Sequence, residues 1–304
     1  MQSWKPYIAL VALCFLWGTT YLGIKIGINH FPVFLFSGFR NTIAGAVVVL
    51  WFVLRGNVVW PNKQELKRIL ISGSFIFIGG NLFLCLAEQH VPSGLAAMVN
   101  TAFPLWIVIM TKIINPSEKT PVLAIVGIII GFLGQFLIFY EQLFLLENKN
   151  YFTGFILLVL GVINGSTGSV YMKRYLVKTH PVFTGGIQML LCGMITTIVG
   201  IFKGEIAELN TDREGWLAML YLIIAGSVLG YSLFIYALHK LPAAMVSVYA
   251  YINPIVALWL GWLLLNEPIS HRSIYAMMVT LVGVYIVSRG MQRARQRTVE
   301  IKNS

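Results

Sequence analysis

PSGLAAMVNTAFP (residues 92–104) and PAAMVSVYAYINP (residues 242–254) are the two stretches on which the fold turns. Each opens and closes on proline, at Pro92 and Pro104 and again at Pro242 and Pro254, so they align at an offset of 150 residues. Outward from them the match continues: Gly80 meets Gly230 and Ala87 meets Ala237. One deletion later the offset is 149, where Glu118 meets Glu267 and Gly134 meets Gly283. Pro32-Val33-Phe34 and Pro181-Val182-Phe183 also stand 149 apart. The chain is therefore duplicated, and self-similarity at a long period decides an architecture before any local reading does.

Each duplicate is apolar almost throughout. The 304 residues are 58% hydrophobic and 11% charged, with a mean hydropathy of +0.79. A soluble domain carries about 25% charged residues, so a soluble enzyme and a nucleic-acid binder are both excluded. A helix needs about 20 apolar residues to cross the hydrocarbon core. Such runs fall near 7–28, 33–54, 68–89, 92–113, 121–140, 151–172, 181–202, 213–238, 242–265 and 270–288. The prediction is an all-α membrane protein of ten transmembrane helices. Residues 1–144 hold the first five-helix repeat, 145–289 the second, and 290–304 form a basic cytoplasmic tail. Five is odd, so the second repeat is inverted in the bilayer relative to the first, as in many secondary carriers. The first run ends at Lys25 and Asn29 with no small-residue cleavage site, and reads as a retained span.

Charge sets the orientation. With the N-terminus in the cytoplasm, 16 Lys and Arg lie inside and five outside (Lys25, Lys149, Lys203, Arg213 and Arg272), with Arg40 inside the second span. That bias satisfies the positive-inside rule and puts both termini in the cytoplasm. The formal charge of +11 thus reports topology rather than an acidic partner.

Trp17-Gly18-Thr19-Thr20-Tyr21 with Lys25, then Phe39-Arg40-Asn41 and Ala44, have a recognisable order. So do Ala87 through Pro104 and their echo from Ala237 through Asn253-Pro254 to Leu265-Asn266-Glu267-Pro268. Over nearly the whole chain this resembles the drug/metabolite transporter superfamily, specifically its ten-span EamA-like members. The resemblance implies a bacterial-type inner-membrane carrier that moves small metabolites, often amino acids or toxic compounds outward, by alternating access. An export carrier for amino acids comes first, with cationic or aromatic xenobiotics second. A membrane sensor or assembly partner that moves no solute is the alternative from another class.

Candidate site residues follow from depth in the spans. Pro104 and Pro254 each remove one backbone hydrogen bond in mid-span, which hydrocarbon tolerates only where protein or a cavity receives the freed carbonyl. They mark either gates beside a midplane site or kinks that improve packing. Trp17, Asn81, Asn100, Thr101, Asn164, Tyr231, Tyr251 and Asn253 are polar or aromatic groups near mid-span and form the candidate substrate lining. Lys25, Arg40 and Glu88 fall in the outer part of the bilayer, and intramembrane charges are functional candidates. They serve as a charge latch at an outer gate or as a receptor for a substrate carboxylate. No carboxylate lies deep in a span, so facilitated diffusion, exchange and proton antiport all stand open.

The chemistry the sequence lacks narrows the field. There is no GxxxxGK[ST] or HExxH, and Asp212 is the single aspartate. No enzyme activity, cofactor or metal is expected, and the implied partners are a small-molecule substrate and the lipid bilayer, with no nucleic acid. Gly127 and Gly131, Gly161 and Gly165, and Gly226 and Gly230 have the small-xxx-small spacing of close helix contacts. The fifth and tenth spans could form a homodimer face.

Overall fold

The computed structural model describes every residue except 1–3, 57, 118–119, 144–148, 176, 210–211, 242–245, 247–248 and 304. Within helices, the side chains at 139, 141–143, 235, 238–239, 250–251 and 295–303 also lie outside the described set. The described chain is helical, with no strand. Its helices are α1 (Lys5–His30), α2 (Val33–Leu54), α3 (Lys63–Gly73), α4 (Phe83–Glu88), α5 (Ser93–Asn100), α6 (Phe103–Ile114) and α7 (Val122–Leu143). The second half adds α8 (Lys149–Arg174), α9 (Pro181–Phe202), α10 (Arg213–Tyr221), α11 (Gly230–Lys240), α12 (Tyr249–Leu265) and α13 (His271–Asn303). A π-helical stretch, Ser74–Leu82, joins α3 to α4, and a second, Leu222–Leu229, joins α10 to α11.

Among the described residues seven helices are long and apolar enough to cross a membrane, and the bent pair α5–α6, taken as one span, makes an eighth. The shorter apolar stretches Val122–Ile138 and Ile252–Leu265 coincide with the remaining two runs of the sequence. Local chemistry sets several helix starts. Asn62 opens α3 with a reciprocal cap: its side chain accepts from Glu65 N at 2.9 Å, and the Glu65 carboxylate accepts from Asn62 N at 3.0 Å. Pro181 sits in the first turn of α9, where a missing N–H costs nothing. The C-terminal segment from Arg289, read as a tail, continues α13 as helix through Asn303.

The two halves exchange elements. α2 packs along α9 and α7 packs along α13, each pair being repeat mates. α1 packs on α10, α11 and α12 of the second half, while α8 packs on the first π stretch, α4 and α6 of the first half. This reciprocal exchange is how the duplication folds into one body. The paired mates meet backbone to backbone. A methyl at Gly45 would lie 2.2 Å from Leu190 N on α9, and one at Gly283 would lie 2.3 Å from Gly131 N on α7. The Gly127 and Gly131 stripe thus makes its close contacts within the chain. Large apolar side chains on the outer faces stay bare, including Ile129, Leu133 and Phe136 on α7 and Met278, Val282 and Tyr285 on α13. An apolar belt of that extent belongs against lipid.

Candidate functional site

The first π-helical stretch shapes the site. A π turn widens the helix by one residue and re-aims the side chains around it, and such turns gather at functional positions. Here it carries Gly79-Gly80-Asn81 against α8. Gly80 comes so close to α8 that a methyl on it would touch Gly165 Cα at 3.4 Å. A cavity of about 210 Å³ opens beside this contact. Phe77, Gly80 and Asn81 form one wall, Asn100 and Phe103 at the α5–α6 break a second, and Leu158, Gly161 and Ser169 of α8 a third.

The α5–α6 break follows from Pro104. α5 ends at Asn100 and tightens through Thr101 N to Met98 O and Ala102 N to Val99 O, both 3.1 Å. α6 then restarts at Phe103 after a bend of 41°. Pro104 therefore lies in the first turn of α6, where it loses no hydrogen bond. Its repeat mate Pro254 lies inside α12 instead. The Asn100 amide donates to Ala96 O at 3.0 Å, which fixes the side chain at the mouth of the break.

The candidate lining divides into separate groups. Asn81 and Asn100 line the cavity together. Asn164 stands behind Gly79, where a methyl would meet its side chain at 2.7 Å, and donates to Leu160 O at 2.8 Å. Thr101 is buried, donates to Met98 O at 2.6 Å and receives Gln135 Nε2 at 3.3 Å. Gln135 also reaches Thr280 Oγ1 at 3.3 Å, so Thr101 ties the break to α7 and α13.

Trp17 and Asn253 form a second group among α1, α11 and α12. The Trp17 ring packs on Phe234 and Tyr249 with centroids 5.2 and 5.0 Å away. Its Nε1 donates to Gly226 O at 3.2 Å, and a methyl on Gly230 would lie 2.4 Å from that nitrogen. The Asn253 amide, oriented to satisfy its donors, reaches Cys14 O at 3.0 Å and Tyr249 O at 2.9 Å. Tyr231 stands apart against Gly185 of α9, with its hydroxyl 3.4 Å from Pro181 O. The Tyr251 side chain lies outside the described residues.

The three intramembrane charges share one neighbourhood without pairing in the simple way. Lys25 Nζ donates to the Glu88 carbonyl and, at 3.0 Å, to the Val91 carbonyl, capping the end of α4. Arg40 Nη2 donates to Asn81 Oδ1, an oxygen that Asn41 Nδ2 also approaches at 3.4 Å. Glu88 is fully buried, and among the described residues neither of its carboxylate oxygens has a hydrogen-bond partner. Asn81 thus links the cavity wall to the buried charges.

The model of the EamA-like transporter family matches residues 4–140 and again 152–289. The chain belongs to the EamA-like transporter family. Among relatives of this EamA-like transporter is the uncharacterized inner membrane transporter YedA of Escherichia coli (strain K12). It is 32% identical over 288 residues, covering 93% of this chain and 90% of that protein. An uncharacterized transporter of Archaeoglobus fulgidus is 26% identical over 287 residues, covering 94% and 99%. A solved crystal structure shares the fold with a TM-score of 0.63 at 18% identity, over 94% of this chain and 98% of its own.

Several contributors to the transporter's site were not singled out from sequence. Phe77, Phe103 and Ser169 are among them, as are the two π stretches. Glu267 was matched to Glu118 but given no role. Its carboxylate accepts from Ser93 N at 2.8 Å, Ser93 Oγ at 2.9 Å and Gly94 N at 3.1 Å, so it caps α5 from the other half of the chain. The matched pair Gly80 and Gly230 was the available signal for the π stretches, since a widened helix needs a neighbour that approaches closely.

Proposed function

We propose that this EamA-like transporter is a ten-span inner-membrane carrier with cytoplasmic termini that moves a small amphiphilic metabolite by alternating access. One observation carries the reading: the two mates Gly80 and Gly230 have different surroundings. Beside Gly80 lies the cavity, while Gly230 is covered by the Trp17 ring. Inverted repeats that exchange two packings across a midplane site give alternating access, and unequal filling of equivalent places is what one such state requires. The Trp17–Tyr249 group and the Asn81–Asn100 group then serve as the two halves of one pathway.

Cavity size and lining favour a substrate class. Drug-sized ligands occupy pockets of about 300–1,000 Å³, and a cavity of about 210 Å³ is smaller. Two amides and a serine hydroxyl among aromatic and aliphatic walls suit an amino acid or a metabolite of similar size. Export is the direction the family resemblance implies.

The test is uptake of a labelled amino-acid mixture into proteoliposomes, for the wild type, Asn81→Leu and Asn100→Leu. Saturable flux that falls at least tenfold in both variants, with folding intact, supports the reading. Saturable flux that both variants retain overturns the proposed lining. If amino acids do not move but a cationic aromatic dye does, the substrate is a xenobiotic. Absence of flux for both probes favours a sensor.

A further inference from the structure

We infer that Glu88 is the proton-binding site of this transporter, and that its protonation governs the clasp on the α4–α5 turn. This rests on the carrier reading above for its transport consequence, but not for proton binding itself. The first observation is burial without a partner. Glu88 is the last residue of α4, has no exposed surface, and both of its carboxylate oxygens are orphaned among the described residues. A buried polar group without a partner is rare in a native fold and calls for an explanation. The second observation is that the clasp is built around it. Lys25 holds the carbonyls of Glu88 and Val91 on one side of the turn, and Glu267 holds the amides of Ser93 and Gly94 on the other. α1 and the α12–α13 connection are thereby fixed to residues 88–94.

The groups facing Glu88 can be named element by element. α1 presents Tyr21 and Lys25, α2 presents Arg40, and the α12–α13 connection presents Glu267. α4 itself contributes Cys85. α5 carries no charged residue, and α8 carries none between Lys149 and Lys173. Two cations thus stand against two carboxylates. With Glu88 ionised the cluster is neutral, and with Glu88 protonated it has one excess positive charge.

That single charge decides where Lys25 binds. A carboxylate is a stronger partner for an ammonium than a backbone carbonyl. When Glu88 loses its proton, its own carboxylate competes for Lys25 Nζ and draws it off the Val91 carbonyl, loosening the turn. When Glu88 regains the proton, Lys25 returns to the carbonyls and the clasp closes. Arg40 carries the same change to the cavity, because it binds Asn81 and Asn81 forms a cavity wall. The proton balance is simple: one proton comes from water on one side of the membrane, resides on a Glu88 oxygen, and leaves to water on the other. No covalent bond is made in the protein beyond that O–H.

Infrared difference spectroscopy of the protein in lipid, titrated from acid to alkaline pH, reads the site without any substrate. The expected result is a carbonyl-stretch band of a protonated carboxylic acid that titrates in the wild type and in Glu267→Gln. It is absent in Glu88→Gln and displaced in Glu88→Asp, which keeps the carboxyl if the glutamine variant does not fold. A band that persists in Glu88→Gln, or a wild type with no titrating buried carboxyl, overturns the assignment. In proteoliposomes that transport amino acids, Glu88→Gln is expected to abolish stimulation by a pH gradient. Stimulation retained by Glu88→Gln also overturns it. If neither the amino acids nor the cationic aromatic dye moves, the carrier reading fails on its own, and the infrared result still decides the proton site.

Discussion

Glu267→Ala should unlatch α5 from the second half of the molecule at a cost of about 3 kcal/mol. The wild-type carboxylate accepts three hydrogen bonds, from Ser93 N, Ser93 Oγ and Gly94 N. The position of Glu267 is itself fixed: its N–H donates to Gly261 O at 3.0 Å, just after Asn266 takes a left-handed φ of 53°. Asn tolerates that conformation better than most residues. Gly261 leaves room for the carboxylate, since a methyl there would lie 2.4 Å from Glu267 Oε2. Alanine removes the acceptor and orphans two amides at a helix start inside the protein, each worth about 1–3 kcal/mol when left unmade. Partial repair by water at this half-buried position places the total near the low end of that sum. Glutamine keeps one acceptor oxygen without the charge, and should cost roughly half as much, since charge-assisted bonds are about twice as strong as neutral ones. Reversible unfolding in mixed micelles by titration with sodium dodecyl sulfate measures both. An alanine variant within about 0.5 kcal/mol of the wild type, the range of ordinary surface substitutions, would refute the latch.

Three further outcomes follow from the geometry. Gly283→Ala pushes a methyl to within 2.3 Å of backbone on α7 and should destabilise by about 1–3 kcal/mol, in the same unfolding assay. Trp17→Ala empties the space over Gly230 and should leave the fold standing while changing flux. Unaltered flux in that variant contradicts a shared role for the Trp17 group. At the start of α10, the Asp212 carboxylate is held below the ordinary carboxylate range, first by the Gly215 N–H and also by the His30 imidazole. A depressed carboxylate contributes its cap in full above the unfolded value and loses it as pH falls through the folded one. Protection of the Gly215 amide against hydrogen exchange, corrected for intrinsic rate, should therefore decline on acidification and be low at every pH in Asp212→Ala.

The duplication and the ten apolar runs were legible because both are carried by residue type at fixed spacing. Pro92, Pro104, Pro242 and Pro254 read directly, and hydropathy has the same meaning in every span. The interior of each span was less legible. A π stretch depends on how a helix is wedged against its neighbour, so Ser74–Leu82 left only Gly79-Gly80 as a trace. Asn81 and Asn100 could be singled out as polar groups at mid-span, yet nothing in their spacing separated them from Thr101, whose hydroxyl is taken up with Met98 and Gln135. Trp17 was legible as an aromatic group in a span, but not as the cover over Gly230, which needs the contact between the two halves. The charges show the same limit. Depth placed Lys25, Arg40 and Glu88 together, whereas the choice of Lys25 for backbone carbonyls and of Arg40 for Asn81 belongs to tertiary geometry.

Counterflow in proteoliposomes tests alternating access most directly. Vesicles loaded with unlabelled amino acids are diluted into a trace of the labelled mixture, and internal label is followed in time. A carrier whose cavity opens to one side at a time predicts a transient overshoot of label above its equilibrium level, saturable and lost in Asn100→Leu. Label that rises monotonically to equilibrium, at a rate linear in concentration and indifferent to internal solute, would contradict it.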